Sequence, residues 1–263
     1  MSRRKIKTAP LLTALSVALL LTLVTTVSAE PKASLLLSPA YISKAGVELN
    51  GAFDLSPGGQ IVLGTKDNLL DLRAKKKLLN TSNNKIDSFA LTGDGALITI
   101  SNGKLGFVKN GKIEERVTLP NEVMKVVKGF KNQLLLFGGS DIYIYSKGGK
   151  YQKLASVKEQ ITAATAAGDT IYFSAGSTIY SITNTGGSLV PVLVLSRGTV
   201  ISSLGYESAS KTLYFTSNKA LYALSDSGLS LLGKNAGGEI KVQGGSVYIL
   251  SPERGQLVRL QME

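Results

Sequence analysis

The sequence predicts an all-β protein, a six-bladed propeller of four-stranded blades, and three observations carry that expectation. A strand-turn-strand cadence rich in Ile, Leu, Tyr and Phe occurs as QIVLGTKDNLLDL from Gln60, ALITISNGKLGFV from Ala96, LLLFGGSDIYIY from Leu134, IYFSAGSTIYSI from Ile171, LYFTSNKALYAL from Leu213 and VYILSPERGQLVRL from Val247. The second strands of these units begin at Ile61, Leu97, Leu134, Ile171, Leu213 and Val247, at spacings of 36, 37, 37, 42 and 34 residues. Such a period, within the range of about 20 to 50, marks a repeat architecture, and four short strands per repeat mark a propeller blade. No unit holds an apolar stripe of period 3.6 and useful length, which argues against helical solenoids.

Residues 1–29 read as an export signal. Arg3, Arg4, Lys5 and Lys7 form a basic start, the 17 residues from Leu11 to Val27 an apolar run, and Val27-Ser28-Ala29 a small-residue cleavage site before Glu30. Cleavage after Ala29 is expected, with the mature protein periplasmic or secreted and without a stable membrane span. An uncleaved anchor is the alternative, although a span needs about 20 residues. SRRKIK also matches a twin-arginine signal weakly, and the Leu-dense run favours the general secretory route.

From Glu30 to residue 50 the chain reads as a lead-in followed by a closing strand. Pro31 and Pro39 suit an extended segment. Tyr41 to Leu49 has period-two character through Ile42, Ala45, Val47 and Leu49, and is expected to pair with Leu257 to Leu260, because the last unit lacks an outer strand of its own. From Gly51 to Glu263 each unit has a first strand of small and apolar residues (AFDL, IDSFAL, MKVV, ITAAT, ISSL, IKV), a tight turn (SPGG, TGDG, GFKN, AGD, ESASK, QGG), the two strands of the cadence and a more polar fourth strand.

Composition removes much chemistry. The chain has 263 residues and no Cys, His or Trp, which excludes disulfides, thiolate nucleophiles, imidazole bases and most hydrolytic triads. The formal charge is +12; without the signal's four basic residues it is +8, from 26 basic and 18 acidic residues. The positives are scattered except at Arg73, Lys75, Lys76 and Lys77, which read as a solvated outer strand or as a contact for an acidic surface such as anionic lipid or polysaccharide. No basic face interleaved with aromatics points to nucleic acid.

LSPGGQIVLGTKDNLLDL from Leu55 and LYFTSNKALYAL from Leu213 resemble the hairpin repeats of the six-bladed propeller superfamily that includes NHL-repeat, SMP-30-like and TolB-like proteins. The resemblance covers Gly51 to Leu260 and implies a fold with a tendency to bind on one face. Its enzymatic branch, the metal-dependent SMP-30-like lactonases, would place Asp54, Asp87 and Glu239, with Asn83 and Asn84 nearby, around calcium or magnesium at the channel mouth. Those acids stand 7, 10 and 8 residues before their second strands, so their convergence is not evident from the register. The virginiamycin-lyase-like branch would need a catalytic His. Tyr143, Tyr145, Tyr172, Tyr180, Tyr214, Tyr222 and Tyr248 offer a sugar-stacking platform, but their equivalent positions suit packing between blades better.

The favoured reading is a monomeric, non-catalytic binding module without a cofactor. Its site is expected on the face that carries the turns between second and third strands, at Lys66, Asp67, Asn102, Asp141, Lys219, Glu253 and Arg254. That mixed, polar surface suits an envelope protein or a glycan.

Overall fold

The computed structural model describes residues 31–262 except 83–84, 121 and 147–148. The expected export signal and its cleavage site lie outside the described residues, as do Asn83 and Asn84. The chain forms six four-stranded antiparallel sheets arranged as a propeller. Blade 1 is Leu49–Leu55, Ile61–Thr65, Asn68–Asp71 and Lys76–Asn80; blade 2 is Ile86–Leu91, Leu97–Ser101, Lys104–Lys109 and Lys112–Thr118. Blade 3 is Lys125–Lys128, Leu134–Gly138, Asp141–Ser146 and Lys150–Ser156; blade 4 is Ile161–Ala167, Thr170–Ala175, Thr178–Thr183 and Val190–Val194. Blade 5 is Ile201–Glu207, Thr212–Ser217, Ala220–Ser225 and Gly228–Gly233. Blade 6 combines Glu239–Gln243, Ser246–Ser251 and Gln256–Gln261 with a strand from the other end of the chain, Lys32–Leu37.

The second strands read as continuous apolar runs because each sheet is covered on both faces by its neighbours. Every residue of Ile61–Thr65, Leu97–Ser101 and Leu134–Gly138 is buried. The apolar clusters straddle blade junctions: Val62 and Leu69 meet Phe89 and Leu91 between blades 1 and 2, and Tyr214 and Leu221 meet Ile240 and Val247 between blades 5 and 6. The repeated tyrosines serve this packing, as their spacing implies. Tyr143, Tyr145 and Tyr214 are buried, and Tyr172 stacks on Tyr206 of the next blade with ring centroids 5.6 Å apart.

The innermost strands of adjacent blades share no backbone ladder. Side chains join them instead, with a bond at each junction. The Leu91 N–H donates to Asp54 Oδ2 at 2.6 Å, the Val126 N–H to Ser88 Oγ at 3.1 Å, and Lys125 Nζ to the Thr162 carbonyl at 2.8 Å. Thr162 Oγ1 donates to the Ile201 carbonyl at 2.6 Å, the Ile240 N–H to Ser203 Oγ at 3.0 Å, and Gln243 Nε2 to the Ser56 carbonyl at 3.1 Å.

An N-terminal strand closes the ring, but it is not Tyr41–Leu49. Lys32–Leu37 pairs antiparallel with Gln256–Gln261, from Lys32 opposite Gln261 to Leu37 opposite Leu257, with an irregularity between Leu35 and Leu37. Pro39–Ala45 is a short helix. Ser38 caps it by accepting the Tyr41 N–H, Pro39 occupies its first turn, and Gly46 at φ 61° ends it in the left-handed conformation. The rest of the expected strand, from Leu49, opens blade 1.

Closure makes a prediction about two neighbouring leucines. Leu37 is 4% exposed within the cluster formed by Phe53, Leu55, Leu250 and Leu257, whereas Leu35 is 55% exposed. In denaturant titrations Leu37→Ala is expected to cost about 2–5 kcal/mol, as large-to-small core substitutions do. Leu35→Ala should leave the midpoint nearly unchanged, and equal costs for the two would show that the closing strand is not anchored through Leu37.

Candidate functional site

Two cavities follow one another along the central channel. The one on the face of the second-to-third-strand turns, about 260 Å3, is lined by Asp87, Lys125, Ser202, Glu239 and Lys241 among others. The one on the opposite face, about 320 Å3, is lined by Asp54, Lys128, Tyr206, Glu207 and Lys241 among others. Lys241 and Val127 belong to both and divide the channel. Small residues of the first strands, Ala163, Ala164, Ser202 and Ser203, line the upper cavity, as the crowding around a propeller axis requires.

Lys241 is the electrostatic centre of this channel. Its Nζ lies 3.3 Å from Glu239 Oε1 and 3.8 Å from Asp54 Oδ1, with its side chain 18% exposed. Burial acts to lower the pKa of the ammonium, but the Asp54 and Glu239 carboxylates outweigh it and hold the value above the ordinary 10.5. Asp54 is itself buried, and its other oxygen accepts the Leu91 N–H.

These contacts decide how the candidate metal ligands fit a divalent ion. Asp54 and Glu239 do converge, across the junction of blades 6 and 1, but the cation between them is a lysine ammonium. Asp87 lines the upper cavity with Glu239 and has its ion pair elsewhere, at 3.6 Å from Lys85 Nζ. Among the described residues no group of three or more acidic side chains is placed to hold a metal. A calcium or magnesium ion at this mouth would have to displace Lys241 from both carboxylates. The residues do not fit the ion.

The seven loop-face residues divide by what they touch. Asn102 with Gly103, at φ 50° and 70°, and Asn218 with Lys219, at 48° and 62°, form left-handed two-residue hairpin turns, so Asn102 has a conformational reason to be there. Asp141 is held within blade 3: Lys153 Nζ donates to it at 2.7 Å and the Ser156 and Tyr143 hydroxyls donate as well. Burial raises the Asp141 pKa, and these donors outweigh it to leave the carboxyl below its ordinary range. Lys66 pairs with Glu48 at 3.6 Å, both side chains well exposed, and the Asp67 carbonyl accepts the Thr81 N–H.

The structure does gather Lys219, Glu253 and Arg254. They line a cavity of about 310 Å3 with Asn235, Gly237, Gly238 and Ser251, and Lys219 Nζ lies 3.3 Å from Glu253 Oε2. The short 3-10 turn Pro252–Arg254, ended by Gly255 at φ 59°, presents Glu253 and Arg254. Gly237 packs so closely on Lys219 that a Cβ there would collide with its Cα. Ser202 lines both this cavity and the upper channel cavity, so the two are neighbours on the same face. Sequence reasoning placed the three charged residues on this face and Ser202 on the channel wall, but not Asn235 or the glycines, whose only signal was the Asn-Ala-Gly-Gly connection between blades 5 and 6.

No protein-family model and no curated protein matches the chain. Solved structures share its fold. A gluconolactonase from Xanthomonas campestris superposes with a TM-score of 0.68 at 10% identity, covering 89% of this chain and 90% of that one. The extracellular domain of a B. thetaiotaomicron protein described as a one-component system gives 0.58 at 14% identity over 76% of this chain, which spans only 31% of the length of that protein. A chain of a nidogen–laminin complex gives 0.57 at 10% identity, covering 82% and 98%. At these identities the likeness shows a propeller, with an enzyme and extracellular domains among its neighbours.

The Lys241 arrangement yields two expected outcomes. Lys241→Met strands Asp54 and Glu239 beside an uncharged side chain and is expected to cost about 3–5 kcal/mol in urea unfolding, most of it recovered when Asp54→Asn is added. Because the folded-state pKa of Lys241 lies above the ordinary 10.5, its contribution is complete below that value and disappears as pH rises through the folded value. The stability gap between parent and Lys241→Met should therefore be constant from neutral pH to about 10 and narrow above it, as thermal midpoints would record.

Proposed function

We propose that the protein is exported to the periplasm or beyond and acts there as a non-catalytic module that binds an envelope protein or glycan. The observation that carries this reading is the concave surface formed where the cavity of Lys219, Glu253 and Arg254 meets the channel mouth at Ser202. It is polar, mixed in charge and set between rigid hairpins, which suits a polar ligand better than a lipid chain. Two supports come from elsewhere. Two of the three carboxylates that a metal-dependent lactonase would use, Asp54 and Glu239, already face Lys241, and the fold neighbours include an extracellular domain and a propeller solved in a complex between two proteins.

Crosslinking in the native envelope, with the purified partner then titrated against the protein, tests the reading. Lys219→Ala, Glu253→Ala and Arg254→Ala together are expected to weaken binding by about 2 kcal/mol, roughly thirtyfold, as loss of a small cluster of interface anchors does. The thermal midpoint should stay within a degree or so, since Lys219 and Glu253 side chains are 72% and 77% exposed. A triple variant that binds as the parent does would move the site elsewhere. Stoichiometric calcium or magnesium in elemental analysis, with a lactonase activity lost in Asp54→Asn, would replace this reading by the enzymatic one.

A further inference from the structure

A second surface, on the rim of the disc where blades 6 and 1 meet, has a different chemistry. Leu35 and Leu36 of the closing strand and Tyr41 of the short helix are 55%, 38% and 44% exposed. With Leu72 and Lys75 they line a groove of about 310 Å3. The groove continues through Leu37, Tyr41, Leu72 and Lys75 into a smaller apolar cavity of about 80 Å3 beneath the helix. Lys44, Arg73, Lys75, Lys76 and Lys77 are exposed around it, and among the described residues none of them is within 4.0 Å of an acidic partner. By contrast, Lys66 and Lys219 on the loop face each stand against a glutamate.

We infer that this rim is a docking surface for an anionic phospholipid bilayer, with Leu35, Leu36 and Tyr41 entering the headgroup layer and the five basic side chains facing lipid phosphates. Three observations select this occupant. A second copy of the chain would bring five positive charges against five. An acidic polysaccharide would satisfy the charges but leave the apolar groove exposed to water. A bilayer surface supplies both halves, apolar depth and negative charge, which is the pairing that holds interfacial segments. Rim contact leaves the loop face and the channel mouth open to a partner.

The chain contains no Trp, so Leu35→Trp supplies a single indole at the groove. Its emission is measured in the exported protein, first against vesicles of phosphatidylglycerol and phosphatidylcholine, then against phosphatidylcholine alone. A blue shift with the anionic vesicles only is expected. Adding Lys75→Gln, Lys76→Gln and Lys77→Gln should raise the lipid concentration needed for half the shift by up to about a hundredfold, each basic residue near the surface being worth about fivefold. Co-sedimentation without a blue shift would mean that another segment binds and would overturn the rim assignment. An equal shift with neutral vesicles would overturn the role of the charges, and a shift produced by an acidic polysaccharide but not by vesicles would replace the bilayer as occupant.

Discussion

Each sheet in this protein is apolar on both faces, and everything else in the fold answers to that constraint. A blade with both faces covered in Ile, Leu, Phe and Tyr is not stable alone, and an open row of blades would leave two faces wet. Only a closed ring covers them all. The ring is therefore drawn shut twice at the junction of blades 6 and 1: at the rim by the pairing of Lys32–Leu37 with Gln256–Gln261, and at the axis by Gln243 on Ser56 and Lys241 on Asp54. Since that junction joins residues almost 190 positions apart, opening it releases the chain ends and exposes the Leu37, Leu250 and Leu257 cluster together. Closure is thus a cooperative term, whereas each of the other junctions links neighbouring blades of the chain.

The blades were legible in the sequence because their determinants are local. Alternating β-branched and aromatic residues around Asn-Gly, Gly-Asp or Gly-Gly turns specify a hairpin wherever they fall, and Ile86–Leu91 and Ile161–Ala167 lie where the cadence puts them. The identity of the closing strand was harder to read, for a physical reason. Ile42, Ala45, Val47 and Leu49 satisfy a period of two over part of their length, yet Ile42, Ala45 and Leu49 also recur at helical spacing. What resolves the ambiguity is the punctuation, Ser38-Pro39 before and Gly46 after, which starts and stops a single short helix. Lys32–Leu37 in turn gains its strand character from the unpaired edge of Gln256–Gln261, a tertiary cause that no window of the sequence contains.

The candidate sites follow the same division. Asp141 could have been read as structural from its hairpin, since the register sets it opposite Ser156 and one of its partners, Tyr143, is two residues on. Asp54, Glu239 and Lys241 could not. Glu239 and Lys241 alternate along one strand and so point to one side of it, but their meeting with Asp54 depends on the ring closing at the right blade number. Unlike offsets from the second strands were a true property of the acids and a poor guide to their shared contact, because Asp54 opposite Val62 and Glu239 opposite Leu250 stand at different levels and the long Lys241 side chain bridges them.

Charge is accordingly partitioned by radius. At the axis, Lys241 is neutralised by Asp54 and Glu239, and this internal pairing fixes side chains in a place where a propeller is otherwise free to take a ligand. On the loop face, positive and negative side chains stand in pairs, Lys66 with Glu48 and Lys219 with Glu253, so the surface presents hydrogen-bonding geometry with little net field. At the rim between blades 6 and 1, Lys44, Arg73 and Lys75 to Lys77 have no carboxylate within 4.0 Å among the described residues, although Asp71 lies opposite Lys76 in the sheet, and they stand near exposed leucines. The net charge of +8 over residues 30–263 includes this cluster. Basic side chains without a carboxylate within 4.0 Å among the described residues also occur at Lys128, Lys131, Lys211 and Arg254, so what sets the rim apart is the density of its charge at Arg73 and Lys75 to Lys77 beside exposed apolar side chains, the combination that distinguishes it from the mixed, polar loop face.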